Sequence, residues 1–356
     1  MDKNQYQEIM ANTMIKNYAE YICTDMFKEL QNRGEIKYDG KIDVQDDPID
    51  LSRYDSNEEK VEALFEKLST AVKFCEEFEY NRAYRYSSIC KYQNINFEKL
   101  GTLKTQNKVS EIIENSEFDD KLKRSIGYPT VKIDGNKVYL KFSIKLHSKI
   151  EGDSDLKHVV LAVINKDTKT IEIRQHTVPI AYNNQERIYE KNIYNVKSWL
   201  KLHLDAYIIE LDLQAITRYM KANKEPEVKI TAVSLRRHGM EADLDSASNS
   251  ELTLPILDEL RNKIAQEEIF HNNPTGIEIK EMLEGFMVDI EDNSDLPAAK
   301  IFWPQKDIKI HMFHGEVSSA TATLKFMGKL KDKESMDYVA EYIINSETEL
   351  SRSFED

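Results

Sequence analysis

The stretch Lys137-Val-Tyr-Leu-Lys-Phe-Ser-Ile-Lys-Leu-His147 decides the fold of the central part of the chain. Its even positions are all apolar, whereas its odd positions are mostly polar or cationic. Successive side chains of a β-strand point to opposite faces, so the pattern predicts a strand that buries one face in a core. The other face, with Lys137, Tyr139, Lys141 and Lys145, is expected to expose a row of cations to solvent.

Three segments around this strand predict an antiparallel meander. Val131–Ile133 is joined to it by Asp134-Gly-Asn136, a hairpin signal because Gly accepts positive φ. His158–Ile164 is continuously apolar, which is typical of a strand buried on both faces. Thr170–His176 alternates again and follows a polar turn, so it is expected to pair with the segment before it.

Helical periodicity on both sides of the meander makes the expected fold class α+β. The predicted organisation is a helical region over residues 1–125, a central α+β domain with an antiparallel sheet over 126–240, a small C-terminal α+β unit over 251–346, and a polar, frayed tail over 347–356. The acidic, Ser-rich stretch Glu241–Ser250 is taken as the boundary before the C-terminal unit.

Local signals place several helices. One long helix is expected from about residue 9 to Gly34, and Ser56-Asn-Glu-Glu59 forms a capping-box signature for another. Residues 105–114 read as a short helix, Tyr182–Leu204 as a long one that packs on the sheet, and Thr275 as the N-cap of a helix in the C-terminal unit.

The composition is that of a folded protein with a surplus of carboxylates. Hydrophobic residues make up 40% and charged residues 31%, and the formal net charge is −14. No secretory signal and no apolar run of membrane-spanning length is found, so no membrane contact is expected. The three cysteines lie far apart without metal-ligand spacing, which favours a reduced, cytoplasmic setting.

The charge is unevenly distributed. Residues 80–149 hold 14 Lys and Arg against 7 Asp and Glu, a net of +7, so the rest of the chain carries −21. Tyrosines interleave with cations here, and stacking combined with charge is how single-stranded nucleic acids are bound. The predicted contact residues in this window are Arg82, Tyr84, Arg85, Tyr86, Lys91, Lys137, Tyr139, Lys141 and Lys145. Arg236 and Arg237, at the end of a later predicted strand, are added as an anion contact, with a solvated loop as the alternative.

This basic face leads to the first hypothesis, a non-enzymatic binding or accessory protein that contacts nucleic acid or an acidic protein partner. Binding to nucleic acid should weaken steeply with salt, since each neutralised phosphate releases counterions. The same residues are equally compatible with a solvated basic surface, an internal docking surface, tyrosines packed on a neighbour, or lysines that keep a strand from pairing with another chain.

A second hypothesis is a metal-dependent nuclease that uses Asp167, Glu172 and Arg174. Two acids and a cation on adjacent strands can hold a divalent ion and orient a water molecule. The pattern resembles the Asp…Glu-x-Lys arrangement of restriction-endonuclease-like nucleases, except that Arg replaces Lys and Asp167 sits in the neighbouring turn. A polar hairpin tip with an ion pair would account for these residues as well.

A third hypothesis reverses the charge argument: the acidic remainder mimics DNA and occupies the nucleic-acid groove of another protein. No nucleophile elbow, P-loop or dinucleotide fingerprint is found, so no cofactor is expected. His311 and His314 are an odd number of residues apart, which places them on opposite faces of a strand, and no metal site is predicted there.

Overall fold

The computed structural model describes residues 3–39, 48–111, 126–183, 187–237, 240–246, 255–314, 322–330 and 332–354. Its contacts group into two compact units, Met1–Ile209 and Glu210–Asp356, and each combines helices with a sheet. The predicted α+β class is confirmed. Among the described residues, no helix combines the length and the apolar character needed to cross a bilayer.

Four helices open the first unit: α1 (Lys3–Asn17), α2 (Glu20–Asn32), α3 (Asn57–Lys67) and α4 (Ala71–Asn81). The single long helix expected up to Gly34 is therefore two helices, broken around Ala19, and Gly34 follows the second with a φ of +76°. The capping box is confirmed, because Ser56 Oγ accepts from Glu59 N and the Glu59 carboxylate accepts from Ser56 N. The apolar faces of the four helices share one core.

Strands β1 (Ile36–Lys37) and β2 (Ile49–Asp50) form a short parallel pair. The main sheet of the first unit has the strands β3 (Tyr86–Asn94), β4 (Ser110–Glu111), β5 (Thr130–Asp134), β6 (Lys137–Leu146), β7 (Leu156–Asn165), β8 (Thr170–Gln175) and β9 (Tyr207–Glu210). Their order is β3-β8-β7-β6-β5-β4, with β9 paired to β3. Strands β5 to β8 form the predicted antiparallel meander, with Gly135 at a φ of +57° in the hairpin turn.

Two segments of the predicted helical region have a different structure. Residues 86–94 form strand β3, antiparallel to β8, and its Cys90 and Tyr92 enter the core that the meander shares with α6. The helix expected over 105–114 lies earlier, as α5 (Lys99–Thr105), and Ser110–Glu111 pairs with β5; residues 112–114 lie outside the described part. Strand β3 joins the helical region to the meander, so one unit contains both.

One face of this sheet packs on α6 (Ile188–Leu204). The apolar even positions of β6 line this core, and the Phe142 ring meets the Trp199 indole edge-on with centroids 5.4 Å apart. The predicted helix over 182–204 is shorter at its start, where residues 180–182 form a 3₁₀ turn. The alternation therefore predicted correctly which side chains of β6 enter the core.

The expectation that the odd face of β6 meets water is wrong. Tyr139 and Lys141 are buried, and helices α1 and α4 lie over this face. Alternation specifies only that the two sets of side chains are on opposite faces, and both faces of this sheet carry a layer of helices. A strand buried on both sides usually lacks cations, so the lysines here must find partners inside the fold.

The second unit has an antiparallel sheet in the order β11-β10-β12-β13-β14. Its strands are β10 (Lys229–Arg237), β11 (Met240–Asp245), β12 (Asp295–Trp303), β13 (Ile308–Phe313) and β14 (Thr323–Phe326). The helices are α7 (Leu213–Asn223), α8 (Pro255–Gln266), α9 (Ile269–Asn272), α10 (Pro274–Asn293) and α11 (Lys333–Arg352).

Three predictions for this unit are wrong in detail. Residues 241–245, expected to belong to the boundary stretch, are part of strand β11, which pairs with β10. Helix α10 is capped by Asn273, whose Oδ1 accepts from the backbone of Thr275, so Thr275 lies inside the helix. The expected frayed tail is helical up to Arg352, because α11 buries Ile343, Ile344 and Ser346 on its inner side.

Candidate interaction surface

A buried network of four charged side chains lies between α4 and the sheet of the first unit. Glu76 and Glu79 are three residues apart on α4, so both carboxylates point from one side of the helix. Lys141 Nζ lies 2.9 Å from Glu79 Oε2 and 2.7 Å from the Glu76 carbonyl oxygen, and Lys157 Nζ lies 2.7 Å from Glu79 Oε2. Both ammonium groups also pair with the Glu76 carboxylate, which accepts from the Tyr6 hydroxyl.

This network keeps its charges although it is closed to solvent. Burial opposes ionisation of Glu76, but the ammonium groups of Lys141 and Lys157 outweigh it and lower the pKa of Glu76 below its usual value. Burial likewise opposes the charge on Lys141, and the two carboxylates raise its pKa above the usual value. The three protons of Lys141 all find acceptors, so the group is a structural connection between helix and sheet.

The Tyr and Arg side chains that follow α4 are also inside the fold. Arg82 stacks between two tyrosine rings, with Cζ 4.4 Å from the centroids of both Tyr18 and Tyr84. The Tyr84 hydroxyl donates to the Glu79 carbonyl oxygen at 2.5 Å. These residues were predicted to stack on nucleic-acid bases, but their stacking partners are one another.

The remaining predicted contact residues are half-buried, and several are already engaged. Lys145 Nζ lies 2.8 Å from Asp155 Oδ2, Arg236 pairs with Glu241 at 3.0 Å, and Arg237 pairs with Asp289. Tyr86 stacks on Tyr189 with centroids 4.4 Å apart. The half-buried set is Arg85, Tyr86, Lys91, Lys137, Lys145, Arg236 and Arg237.

The prediction of one continuous, exposed basic platform is therefore wrong. Arg82, Tyr84, Tyr139 and Lys141 are buried, and carboxylates lie against Lys141 and Lys145. The physical reason is that α4 brings its own acidic side chains onto the face that carries the lysines. A surplus of cations over a sequence window does not reveal which of them are neutralised by acids elsewhere in the chain.

The three residues of the nuclease hypothesis lie in different environments. Asp167 is exposed in the turn between β7 and β8, where Asn136 donates to it. Glu172 is buried on β8, and its Oε2 accepts from Arg174 Nη2 at 2.5 Å. Within the described ranges, no three His, Cys, Asp or Glu side chains group in a way that could hold a metal ion.

A cleft of about 460 Å³ lies beside the buried network, with Tyr80 in its wall. Its lining holds two cations and two carboxylates: Arg33 pairs with Glu77, Glu111 pairs with Lys104 outside the lining, and Lys132 donates to Asn81. Because the lining holds equal numbers of cations and carboxylates, it favours neither an anionic nor a cationic ligand. The lining consists of Arg33, Glu77, Tyr80, Asn81, Glu111, Val131, Lys132 and Ile133.

The most unusual exposed surface belongs to the second unit. Residues 240–295 hold 15 Asp and Glu against 3 Lys and Arg, so this segment has a net charge of −12. On α10, Ile279, Met282 and Phe286 follow the spacing of one helix face. Met282 is 65% exposed and Phe286 57% exposed, whereas the neighbouring Met287 is fully buried. Helix α10 therefore has an apolar stripe besides its core side.

Carboxylates of the same helix flank this stripe, because Glu278 and Glu281 of α10 are exposed. The Arg237–Asp289 ion pair holds the end of β10 against α10. We call the set Glu278, Ile279, Glu281, Met282 and Phe286 the acidic–apolar surface.

Sequence reasoning missed this surface, although a signal was present. Ile279, Met282 and Phe286 lie on one face of α10 and Met287 on another, within a segment that is rich in acids. The signal is a helix that has more apolar residues than one buried face requires and that lies in an acidic segment. Such a combination predicts an exposed apolar surface with an acidic border.

Comparison with known proteins finds no relative of this chain. No family model matches the chain, and neither a curated protein nor a solved structure matches it.

Proposed function

We propose that the protein is an accessory binding protein whose acidic–apolar surface holds a positively charged, amphipathic segment of a protein partner. The proposal includes a reduced, cytoplasmic setting, in keeping with Cys23, Cys75 and Cys90, which are buried thiols. The proposed role is still binding, as the sequence suggested. The residues proposed to bind are acids and apolar side chains of the second unit.

The observation that carries the proposal is the exposure of Met282 and Phe286 among carboxylates. A large apolar side chain in water forgoes roughly 1.5–3 kcal/mol of burial free energy, so exposed apolar stripes commonly mark a contact surface. An amphipathic helix places its own apolar side chains at the same spacing and is a frequent occupant of such surfaces. The occupant would cover Ile279, Met282 and Phe286.

The negative charge of the acidic–apolar surface favours some binding partners over others. The acids Glu278 and Glu281 repel nucleic acid and anionic membranes, and they attract Lys and Arg at the border of an apolar contact. A second copy of the same surface would bring like charges together, which disfavours self-association through it. A basic segment satisfies both the apolar stripe and the surrounding carboxylates.

Cations sequestered in the first unit add to the attraction for a basic partner. Among the described residues, the buried charged side chains are five cations, Arg82, Lys141, Lys157, Arg174 and Lys197, and three carboxylates, Glu76, Glu79 and Glu172. Burying more cations than carboxylates leaves the exposed side chains of the described part more negative than that part taken together. Long-range attraction of a basic partner follows from this excess.

A binding experiment with a defined probe tests the proposal. The probe is a fluorescent peptide of about 20 residues with Leu at helical spacing and Lys elsewhere, titrated with the full chain and followed by anisotropy. We expect saturable binding that weakens about tenfold or more in the M282S/F286S double variant, because the apolar contact is lost. The E278K/E281K double variant should weaken binding through repulsion.

A matched control comes from α6 of the first unit, where Tyr194 and Leu202 are as exposed as the α10 residues but have Lys191 and Lys201 nearby. The Y194S/L202S variant removes a similar apolar area from a helix without the acidic border and should bind the probe like wild type. Equal affinities for wild type and M282S/F286S, or for the peptide and a scrambled version, would refute the proposal.

A further inference from the structure

A second, independent feature lies in the first unit, where the buried ionised groups do not balance. Lys141 and Lys157 are two buried cations that pair with Glu76 and Glu79, and the buried Arg82 lies near Glu79 as a third. Glu79 Oε2 already accepts from both lysines, and its Oε1 lies 3.4 Å from the Tyr18 hydroxyl. Both carboxylates are thus committed to other donors, and Arg82 adds one more positive charge inside the protein.

The Arg82 guanidinium has hydrogen-bond donors that are unused among the described residues. Its two faces are covered by the rings of Tyr18 and Tyr84, but its Nε and Nη1 make no hydrogen bond within the described part of the chain. The residue is only 6% exposed, so water does not reach these donors freely. A buried charged donor without an acceptor is costly, and a guanidinium fork suits the oxygens of a carboxylate or phosphate.

Strand register brings His176 to the same place. Tyr86 and Gln175 form the last pair of β3 and β8, so Arg85 and His176 each lie one residue beyond this end of the ladder. His176 is buried, and its Nδ1 also has no partner among the described residues. Burial, followed by the nearby Arg82, His158 and Arg85, holds the pKa of His176 well below its usual value. The charged neighbours that act on this imidazole are all basic.

We propose that Arg82 and His176 form a binding site for a small tetrahedral oxyanion, such as inorganic phosphate, between the end of α4 and the adjoining ends of β3 and β8. The anion accepts from Arg82 Nε and Nη1 and from an imidazole N–H of His176, and it balances the surplus positive charge. Arg85, half-buried and likewise one residue beyond the ladder, lies at the solvent side of the site.

The first test measures thermal unfolding of the full chain with inorganic phosphate as the probe. Sodium phosphate at about 10 mM is compared with sodium chloride of the same ionic strength, since a ligand that binds only the folded state raises Tm. We expect a saturable rise of about 2–4 °C with phosphate, absent with chloride and lost in R82Q. The control R53Q removes an exposed arginine that pairs with Asp50 and should keep the full rise.

A second measurement does not depend on whether R82Q folds. In wild-type protein labelled with ¹⁵N-histidine, the ring signal of His176, identified by its loss in H176N, should shift on addition of phosphate and saturate. A glycerol phosphate titration separates a free oxyanion from one carried on a larger molecule, and a saturable shift with either supports the site. A His176 signal that moves with neither, or an equal Tm rise in chloride, would overturn it.

Discussion

Lys141 Nζ and Glu79 Oε2 lie 2.9 Å apart in the interior of the first unit, with both side chains closed to solvent. Lys141 was expected to mark an exposed cationic face, and it instead belongs to the contact between α4 and the sheet. The relationship has direct consequences for stability, because an ionised group inside a protein depends on its partner far more than one at the surface does.

Replacing Lys141 by Met should therefore destabilise the protein by roughly 3–5 kcal/mol, since it leaves the Glu76 and Glu79 carboxylates short of a buried counter-charge. The E79L/K141M double variant should recover part of this loss, because it removes both charges. Urea unfolding measures the free energies, and the matched control is K145M, which breaks the partly exposed pair with Asp155 and should cost no more than about 1 kcal/mol. Equal losses for K141M and K145M would contradict the structural role of the network.

Buried histidines should make the protein sensitive to mild acid. Burial first, and then Arg82, lower the pKa of His158 to about 4 against the opposing effect of the hydrogen bond that His158 donates to Gln175. A pKa that is lower in the folded state stabilises the protein fully above the unfolded value of 6.5, and this contribution is lost as pH falls toward 4. For His158 alone the loss between pH 6.5 and about pH 5 is roughly 1.5 kcal/mol.

The measurement is the urea midpoint of wild type and H158Q across this pH range. H158Q should show a shallower decline than wild type as the solution is acidified, because Gln does not take up a proton. H271Q, which changes an exposed histidine, should decline as wild type does. Parallel curves for wild type and H158Q would show that His158 does not titrate in this way.

The capping box of α3 gives a prediction about local stability. S56A removes the oxygen that accepts from Glu59 N at 3.1 Å and should cost about 1 kcal/mol, because the first turn of the helix loses an acceptor. S69A is the control, since Ser69 is exposed and precedes α4 without capping it. Chemical denaturation of both variants should separate them by more than the error of the midpoint.

The apolar stripe of α10 can be tested apart from any partner. F286S should change Tm by no more than about 1–2 °C, because a 57% exposed ring contributes little to the core. M287S, one residue along the same helix, should lower Tm strongly, since a fully buried methionine is replaced by a hydroxyl. A loss in F286S as large as that in M287S would place Phe286 in the core and remove the surface on which the proposed function rests.

The fold class and the central meander follow from local patterns in the chain. The alternation over β6, the hairpin at Gly135 and the capping box at Ser56 all act through neighbours close in sequence, so a single chain reveals them. Strand β3 was missed because its partner β8 is about 80 residues away, and its Tyr and Ser residues are equally compatible with a helix face. Helix ends were misplaced where two caps competed, as at Asn273 and Thr275.

The candidate site depended on information that is not local. Sequence by itself determined that Lys141 lies on the face of β6 opposite the apolar core, because alternation is a property of one strand. Only the tertiary structure decided that Glu76 and Glu79 cover this face, that Arg82 stacks between Tyr18 and Tyr84, and that Phe286 remains in water. Burial and charge pairing join residues that are distant in the chain, and the energy of a charge depends on what surrounds it in space.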